Sequence, residues 1–217
     1  MAESKIIIVA TGGLGREALW AARESREGWD VTGFLDDDDA LQGRSVCDVP
    51  VLGRVDDWHR FADHHFLVAI GAPRSRQAVV RRMMETGNPR FGTVVHRSAA
   101  LSDYVSIGDG SLICANVSIT TQIRIGRHVI VNLNTTVGHD TDLGDFSTLA
   151  PLVACSGGVT AGAGVEIGTG TSIRQGLTLG QGCMIGMGST LTKDVPANSL
   201  WLGNPATERR RLDEFLL

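Results

Sequence analysis

Between Leu101 and Leu191 a small or aliphatic apolar residue returns at every sixth position without a slip in phase: Leu101, Ile107, Ile113, Ile119, Ile125, Val131, Val137, Leu143, Leu149, Cys155, Ala161, Ile167, Ile173, Leu179, Ile185 and Leu191. Six is a multiple of the strand period of two, so one face stays inward in every hexad, whereas a 3.6-residue helix would rotate its apolar position away. Helix is excluded for this half. The residue after the periodic one is often glycine (Gly108, Gly126, Gly138, Gly144, Gly162, Gly168, Gly180, Gly186), and the residue four after it is small or β-branched (Ser111, Val117, Val129, Thr135, Thr141, Val165). Each hexad therefore predicts one short strand and one tight corner, with the glycines serving corner geometry and close backbone approach. An ordinary β-sandwich would place its turns at irregular spacings of roughly 8 to 12 residues.

Residues 1–95 follow another pattern. Lys5 to Ala10 is a β-branched apolar run, Thr11-Gly12-Gly13-Leu14-Gly15 a turn, and Arg16 to about Glu27 a helix-period stretch. A second strand over Val31 to Leu35 ends in the acidic run Asp36 to Asp39. A third runs from Phe66 to Ile70, and Gly71-Ala72-Pro73 opens a second helix to about Thr86. Alternating β and α elements predict a small parallel sheet. Gly13-x-Gly15-x-x-Ala18 fits a dinucleotide fingerprint, with Asp36 placed where a carboxylate accepts from ribose hydroxyls. Glycines there let a backbone approach a pyrophosphate at a helix N-terminus, which suits any nucleotide with a diphosphate and a ribose. Asp38 and Asp39 read as a solvated loop.

Composition narrows the partners. Glycine makes up 27 of 217 residues against a usual share of about 7%, and aromatics only 5%, which fits a core too narrow for rings. A formal net charge of -4 gives no positive field for nucleic acid or anionic lipid. The opening apolar run is too short to span a bilayer and Glu3 spoils a basic leader, so the sequence reads as cytoplasmic. Cys47, Cys114, Cys155 and Cys183 show no metal spacing and read as reduced thiols, so no metal is expected.

The hexads look like the left-handed parallel β-helix of hexapeptide acyltransferases. Together with IIIVATGGLGR (Ile6 to Arg16), Gly33-Phe34-Leu35-Asp36-Asp37, Val68-Ala69-Ile70-Gly71 with Arg76, NLNTTVGHDTDLG (Asn132 to Gly144) and Gly203-Asn204-Pro205-Ala206, they resemble the sialic acid O-acetyltransferase family, which includes bacterial nucleotide-sugar N-acetyltransferases. The fold this implies is an α/β Rossmann-like domain over 1–95, a β-helix over 96–217 and a short C-terminal helix. The resemblance also implies a homotrimer with active sites between prisms, acetyl-CoA as cosubstrate and a nucleotide-sugar acceptor held by Gly13, Leu14, Gly15, Asp36, Asp37, Gly71 and Arg76. Ala10 stands where the family commonly has glycine, and Leu14 where it has histidine.

In the repeat, His128 neighbours an inward position and reads as outward, while His139 lies beyond Val137-Gly138 near a corner. Histidine suits proton removal from an acyl acceptor at neutral pH, and the family gives the following residue, Asp140, the role of orienting it. Consecutive strand residues point apart, so this needs a corner that turns the two together; Asp142 is the alternative. The family also places Asn132 at the active site. Three hexads per coil, as the resemblance implies, would stack residues 18 apart and put His139, Gly157, Gln175 and Lys193 in one column. Gly157, flanked by Gly158, then offers an unobstructed amide to a thioester oxygen. Lys193 or the Arg209 to Arg211 cluster is available for coenzyme phosphates. Cys155 falls on an inward slot, which favours direct attack over an acyl-enzyme. The readings left open are N-acetylation of an amino sugar, O-acetylation of a sugar, and a non-catalytic nucleotide- or NAD-binding trimeric scaffold.

Overall fold

The computed structural model describes residues 4–217; Glu3 lies outside them. The chain divides into two compact units, the first ending at Arg97 and the second running from Ser98 to Leu217.

In the first unit β1 (Lys5–Val9) is the centre of a sheet, with Ile6 to Val9 buried throughout, as a strand covered on both faces requires. It pairs in parallel with β2 (Asp30–Leu35) on one side and β5 (His65–Val68) on the other. The hairpin of β3 (Ser45–Val46) and β4 (Val49–Gly53) adds to the β2 side, and β6 (Arg90–Phe91) to the β5 side, giving the order β3-β4-β2-β1-β5-β6. Helix α1 (Gly13–Arg23) follows β1 and buries Gly15, Ala18, Leu19 and Ala22, one stripe at i, i+3, i+4 and i+7. Helix α2 (Pro73–Glu85) follows β5. The chain leaves β1 toward β2 and later returns to its other side at β5. The loops after these strands therefore diverge at a topological switch point, where open α/β sheets bind ligands.

The second unit is a parallel β-helix. Two- and three-residue strands pair with a constant offset of 18, for example Ser118 with Thr136, Ala154, Ser172 and Thr190 in succession, so three hexads make one coil. From Ile113 onward the inward columns are buried: Val137, Cys155 and Ile173, for example, lie one above another with at most 3% exposure. The second inward position of the hexad carries a Ser or Thr in several coils. There the hydroxyl donates to a carbonyl of the next coil, as Ser111 does to Gly126 (3.0 Å) and Thr135 to Ala150 (3.0 Å).

The corners separate two kinds of glycine that composition alone merges. The glycine directly after the inward aliphatic is there for clearance: a Cβ on Gly138 would come within 2.5 Å of the Gly157 nitrogen in the coil above. The left-handed conformation falls two residues later, at Gly158, Gly176 and Gly188 and also at Asn116, Asn134, Asp140, Phe146 and Leu152.

Two expectations are corrected. Residues 206–211 form no helix but a strand, Ala206–Arg211, antiparallel to Ser199–Gly203. The hairpin continues the sheet above Met184–Ile185 and covers an edge that a helix would leave unpaired. His128 is not outward: it occupies a left-handed corner, is 4% exposed, and stacks on Phe146 at 5.0 Å. One coil beyond Phe146 the same slot is Gly164, and the ring of Phe215 fills the space its side chain would occupy.

Candidate active site and nucleotide cradle

His139 and Asp140 form the corner between strands Thr136–Val137 and Asp142–Leu143. Asp140 has φ of +58°, fixed by its N–H donating to Thr121 (3.1 Å) while the His139 carbonyl accepts from Gly158 (2.7 Å). That left-handed turn brings two consecutive side chains onto the same side, and His139 Nδ1 lies 2.7 Å from Asp140 Oδ2. A carboxylate only accepts, so in the neutral ring this contact places the hydrogen on Nδ1 and the lone pair on Nε2. Asp142 is occupied elsewhere, in an ion pair with Arg124.

Gly157 lies directly over the imidazole: a Cβ there would sit 2.6 Å from Nε2 and 2.7 Å from Cε1. Its own N–H has no acceptor among the described residues. Gly158 and Gly176 continue this bare edge, and the Gly157 carbonyl accepts from the Gly176 N–H (3.0 Å). Gln175 and Lys193 follow one and two coils beyond Gly157, both exposed, with the Lys193 ammonium over the Trp201 ring at 5.5 Å. A shallow depression of about 280 Å³ borders the corner, lined by Ser118, Thr120, Thr136, Gly138, Ala154 and Ser156, among others. Asn132 is not brought to His139 within the chain. It lies at the preceding corner, across strand Thr136–Val137, and its carboxamide oxygen accepts from the N–H of Leu133 (2.7 Å). Cys155 is 3% exposed and burial pushes its thiol up to about 12, so it is packing and not a nucleophile.

In the first unit the loops after β1, β2 and β5 carry the remaining predicted residues. Helix α1 starts at Gly13 with no side-chain cap, so the N–H groups of its first turn face outward with no intrahelical acceptor. Above Gly12 and Gly13 there is open space. Gly15 is required for another reason: a Cβ would come within 2.1 Å of the Ala10 carbonyl, and Ala10 itself is left-handed at φ of +81°. The Leu14 side chain reaches toward Gly71.

The charged residues of this loop cluster mostly bind the protein. Asp36 Oδ2 accepts from the Thr11 N–H (2.8 Å) and hydroxyl (2.7 Å), and Oδ1 from the Asp38 N–H (3.0 Å). Burial pushes its carboxyl up, but these bonds outweigh that effect and hold it below the usual carboxylate range. Asp37 pairs with Arg82 (2.7 Å). Arg76 has no exposed surface and donates to the carbonyls of Ile70 and Gly71, so it shapes the β5 loop from beneath. Thr11 is the residue that motif reading passes over, because its hydroxyl turns sideways to the neighbouring strand's loop. No helix among the described residues is long and apolar enough to cross a membrane, and no cluster of three or more His, Cys, Asp or Glu among them could hold a metal ion.

The family described as PglD N-terminal domain matches residues 5–83. GDP-perosamine N-acetyltransferase of Escherichia coli O157:H7 is 36% identical over 110 residues, a stretch spanning 50% of this chain and 49% of that relative. Two solved structures extend the likeness to nearly whole chains. PerB from Caulobacter crescentus, in complex with CoA and GDP-perosamine, is 30% identical over 96% of this chain and 99% of that one, with a TM-score of 0.86. The acetyltransferase domain of PglB from Neisseria gonorrhoeae FA1090, in complex with acetyl coenzyme A, is 29% identical over 96% of this chain and 100% of that one, also at 0.86. A Rossmann-like unit with a glycine cradle, a β-helix of 18-residue coils and this extent of identity place the chain in the family of CoA-dependent nucleotide-sugar N-acetyltransferases to which PerB belongs.

Proposed function

We propose that the chain transfers an acetyl group from acetyl-CoA to an amino group of a nucleotide-linked amino sugar, by direct attack with His139 as general base. The hydrogen-bonded corner of His139 and Asp140 beneath the bare Gly157 edge carries this reading. The thioester supplies an activated carbonyl carbon. The acceptor nitrogen forms a bond to that carbon, its proton passes to Nε2, and the carbon–sulfur bond breaks as the imidazolium returns the proton to the leaving thiolate. Asp140 holds the ring and stabilises its cation. The Gly157 N–H donates to the carbonyl oxygen as it gains charge.

The α1 N-terminus with Gly12 and Gly13 takes the acceptor's diphosphate, the chemistry a helix start offers an anion. GDP-perosamine, bound by PerB, is the first substrate to try. His139 and Asp140 side chains are 67% and 63% exposed, so one copy of the chain does not exclude water from the reacting atoms. Closure by neighbouring prisms in a homotrimer completes the pocket, and light scattering of the purified protein measures that assembly. For the chemistry, His139→Ala lowers kcat by at least about 100-fold with an unchanged melting temperature. An active His139→Ala enzyme overturns the base assignment.

A further inference from the structure

The nucleotide cradle depends on a loop whose backbone is unusually constrained. Ala10 is held at φ of +81°, a region that side chains with a Cβ disfavour, and its carbonyl sits against Gly15 where even a methyl group would not fit. Something must hold this turn against relaxing. The Ala10 N–H donates to the Leu35 carbonyl (2.8 Å), and the next residue, Thr11, is tethered at three atoms. Its N–H and hydroxyl both donate to Asp36 Oδ2, and its carbonyl accepts from Arg16 (3.4 Å). Asp36 is in turn held by other parts of the fold. Its N–H donates to Gly53 (3.0 Å), its carbonyl accepts from Gln42 (2.7 Å), and its second carboxylate oxygen takes the Asp38 N–H. Thr11 is only 6% exposed, so its hydroxyl serves this contact and no ligand.

We infer that Thr11 and Asp36 are positioning residues: their paired hydrogen bonds clamp the β1 loop to the β2 loop and hold the Gly12–Gly13 helix start in the geometry that receives a diphosphate. The ligand in this inference rests on the proposed nucleotide-sugar acceptor. It assigns Asp36 a different task from that of a ribose acceptor, since three donors of the protein already approach its carboxylate. A carboxylate committed to the loops orders them before the ligand arrives, which lowers the ordering cost of binding.

Thr11→Val separates the two roles, because it keeps the shape and the backbone N–H, removes the hydroxyl donor, and leaves Asp36 intact. With GDP-perosamine as acceptor, the clamp predicts that Thr11→Val raises KM for the nucleotide-sugar about tenfold while kcat and KM for acetyl-CoA stay within twofold. Thr11→Ser, which restores the donor, returns KM to within about threefold of wild type. If Asp36 instead serves ribose, removing a competing donor leaves KM unchanged or lowers it, and that result overturns the inference. Amide hydrogen exchange of the unliganded protein supplies a readout that needs no substrate. The clamp predicts faster exchange over residues 10–15 in Thr11→Val and recovery in Thr11→Ser, and unchanged exchange overturns it. If the wild-type protein fails to turn over GDP-perosamine, the proposed acceptor falls, while the exchange comparison still decides on the clamp.

Discussion

Replacing Gly157 by alanine tests whether the imidazole must lie where it does. The added Cβ would stand 2.6 Å from Nε2, 2.7 Å from Cε1 and 2.9 Å from Cδ2, and all three of its nearest neighbours belong to that one ring. Ordinary contact begins near 3.5 Å, so the ring must withdraw by close to 1 Å. It is free to do so, because the side chain is two-thirds exposed. A displacement of about 1 Å at a reacting group costs on the order of 100-fold in rate, or about 2.7 kcal/mol of transition-state stabilisation. Gly157 has no left-handed φ, so alanine leaves the backbone unstrained and the melting temperature near wild type. Gly158→Ala is the matched control. Its nearest contact would be 3.7 Å but its φ is +69°, so it loses about 1 kcal/mol of stability and leaves the ring in place. Release of coenzyme thiol, followed with a thiol-reactive dye, gives kcat for both, and heat denaturation gives stability. A Gly157→Ala enzyme with kcat within twofold of wild type would refute the reasoning.

Cys155→Ala should keep kcat within twofold while costing about 1 kcal/mol in urea denaturation, because an inward thiol with no ionised fraction at neutral pH contributes packing alone. A large loss of kcat there would restore the acyl-enzyme route. Arg76→Leu leaves the Ile70 and Gly71 carbonyls without their guanidinium and should lower stability by about 3 kcal/mol, read from the same denaturation; a change below 1 kcal/mol would contradict the structural role assigned to it. Burial pushes His96 down, beside the Trp20 ring at 4.8 Å, with Glu24 opposing and Arg97 reinforcing that effect. Because its folded value lies below the unfolded one, the stability it supports is fully present above about pH 6.5 and is lost as pH falls through the folded value. Melting curves between pH 7.5 and about 5 should show this decline in the wild type and a shallower one in His96→Phe, and parallel curves would exclude His96 as the source.

The hexad positions read from the chain became the buried columns because a two-residue strand repeating every six residues has a single solution for its inward face. What the sequence could not disclose is nonlocal or conformational. Nothing in His139-Asp140 announces that the second residue turns left-handed, yet that φ joins the pair. His128 looked solvent-facing because its cover, Phe146, lies 18 residues on and the Phe215 ring that extends the stack lies far beyond. Arg209 to Arg211 suit an exposed helix locally, and only the pairing with Ser199–Gly203 makes them a strand. The resemblance marks Asp36 and Arg76 for the nucleotide-sugar but says nothing of the hydrogen bonds that also tie them to the loops they belong to. The hairpin of β3 and β4 does not signal itself, because β3 is only two residues long and Pro50 interrupts β4.

The constant offset of 18 has a consequence for how such a chain tolerates change in length. A single inserted or deleted residue within a rung would reverse which side chains face the interior for every rung that follows, unless a bulge absorbs it at a vertex. Whole turns can be added or lost without that penalty, and each shifts the groups beyond it along the axis by one strand spacing of about 4.8 Å. The spiral thus works as a molecular ruler. Moving Lys193 relative to His139 by one graduation, while every inward contact is kept, is an alteration that gene duplication supplies readily and point substitution does not.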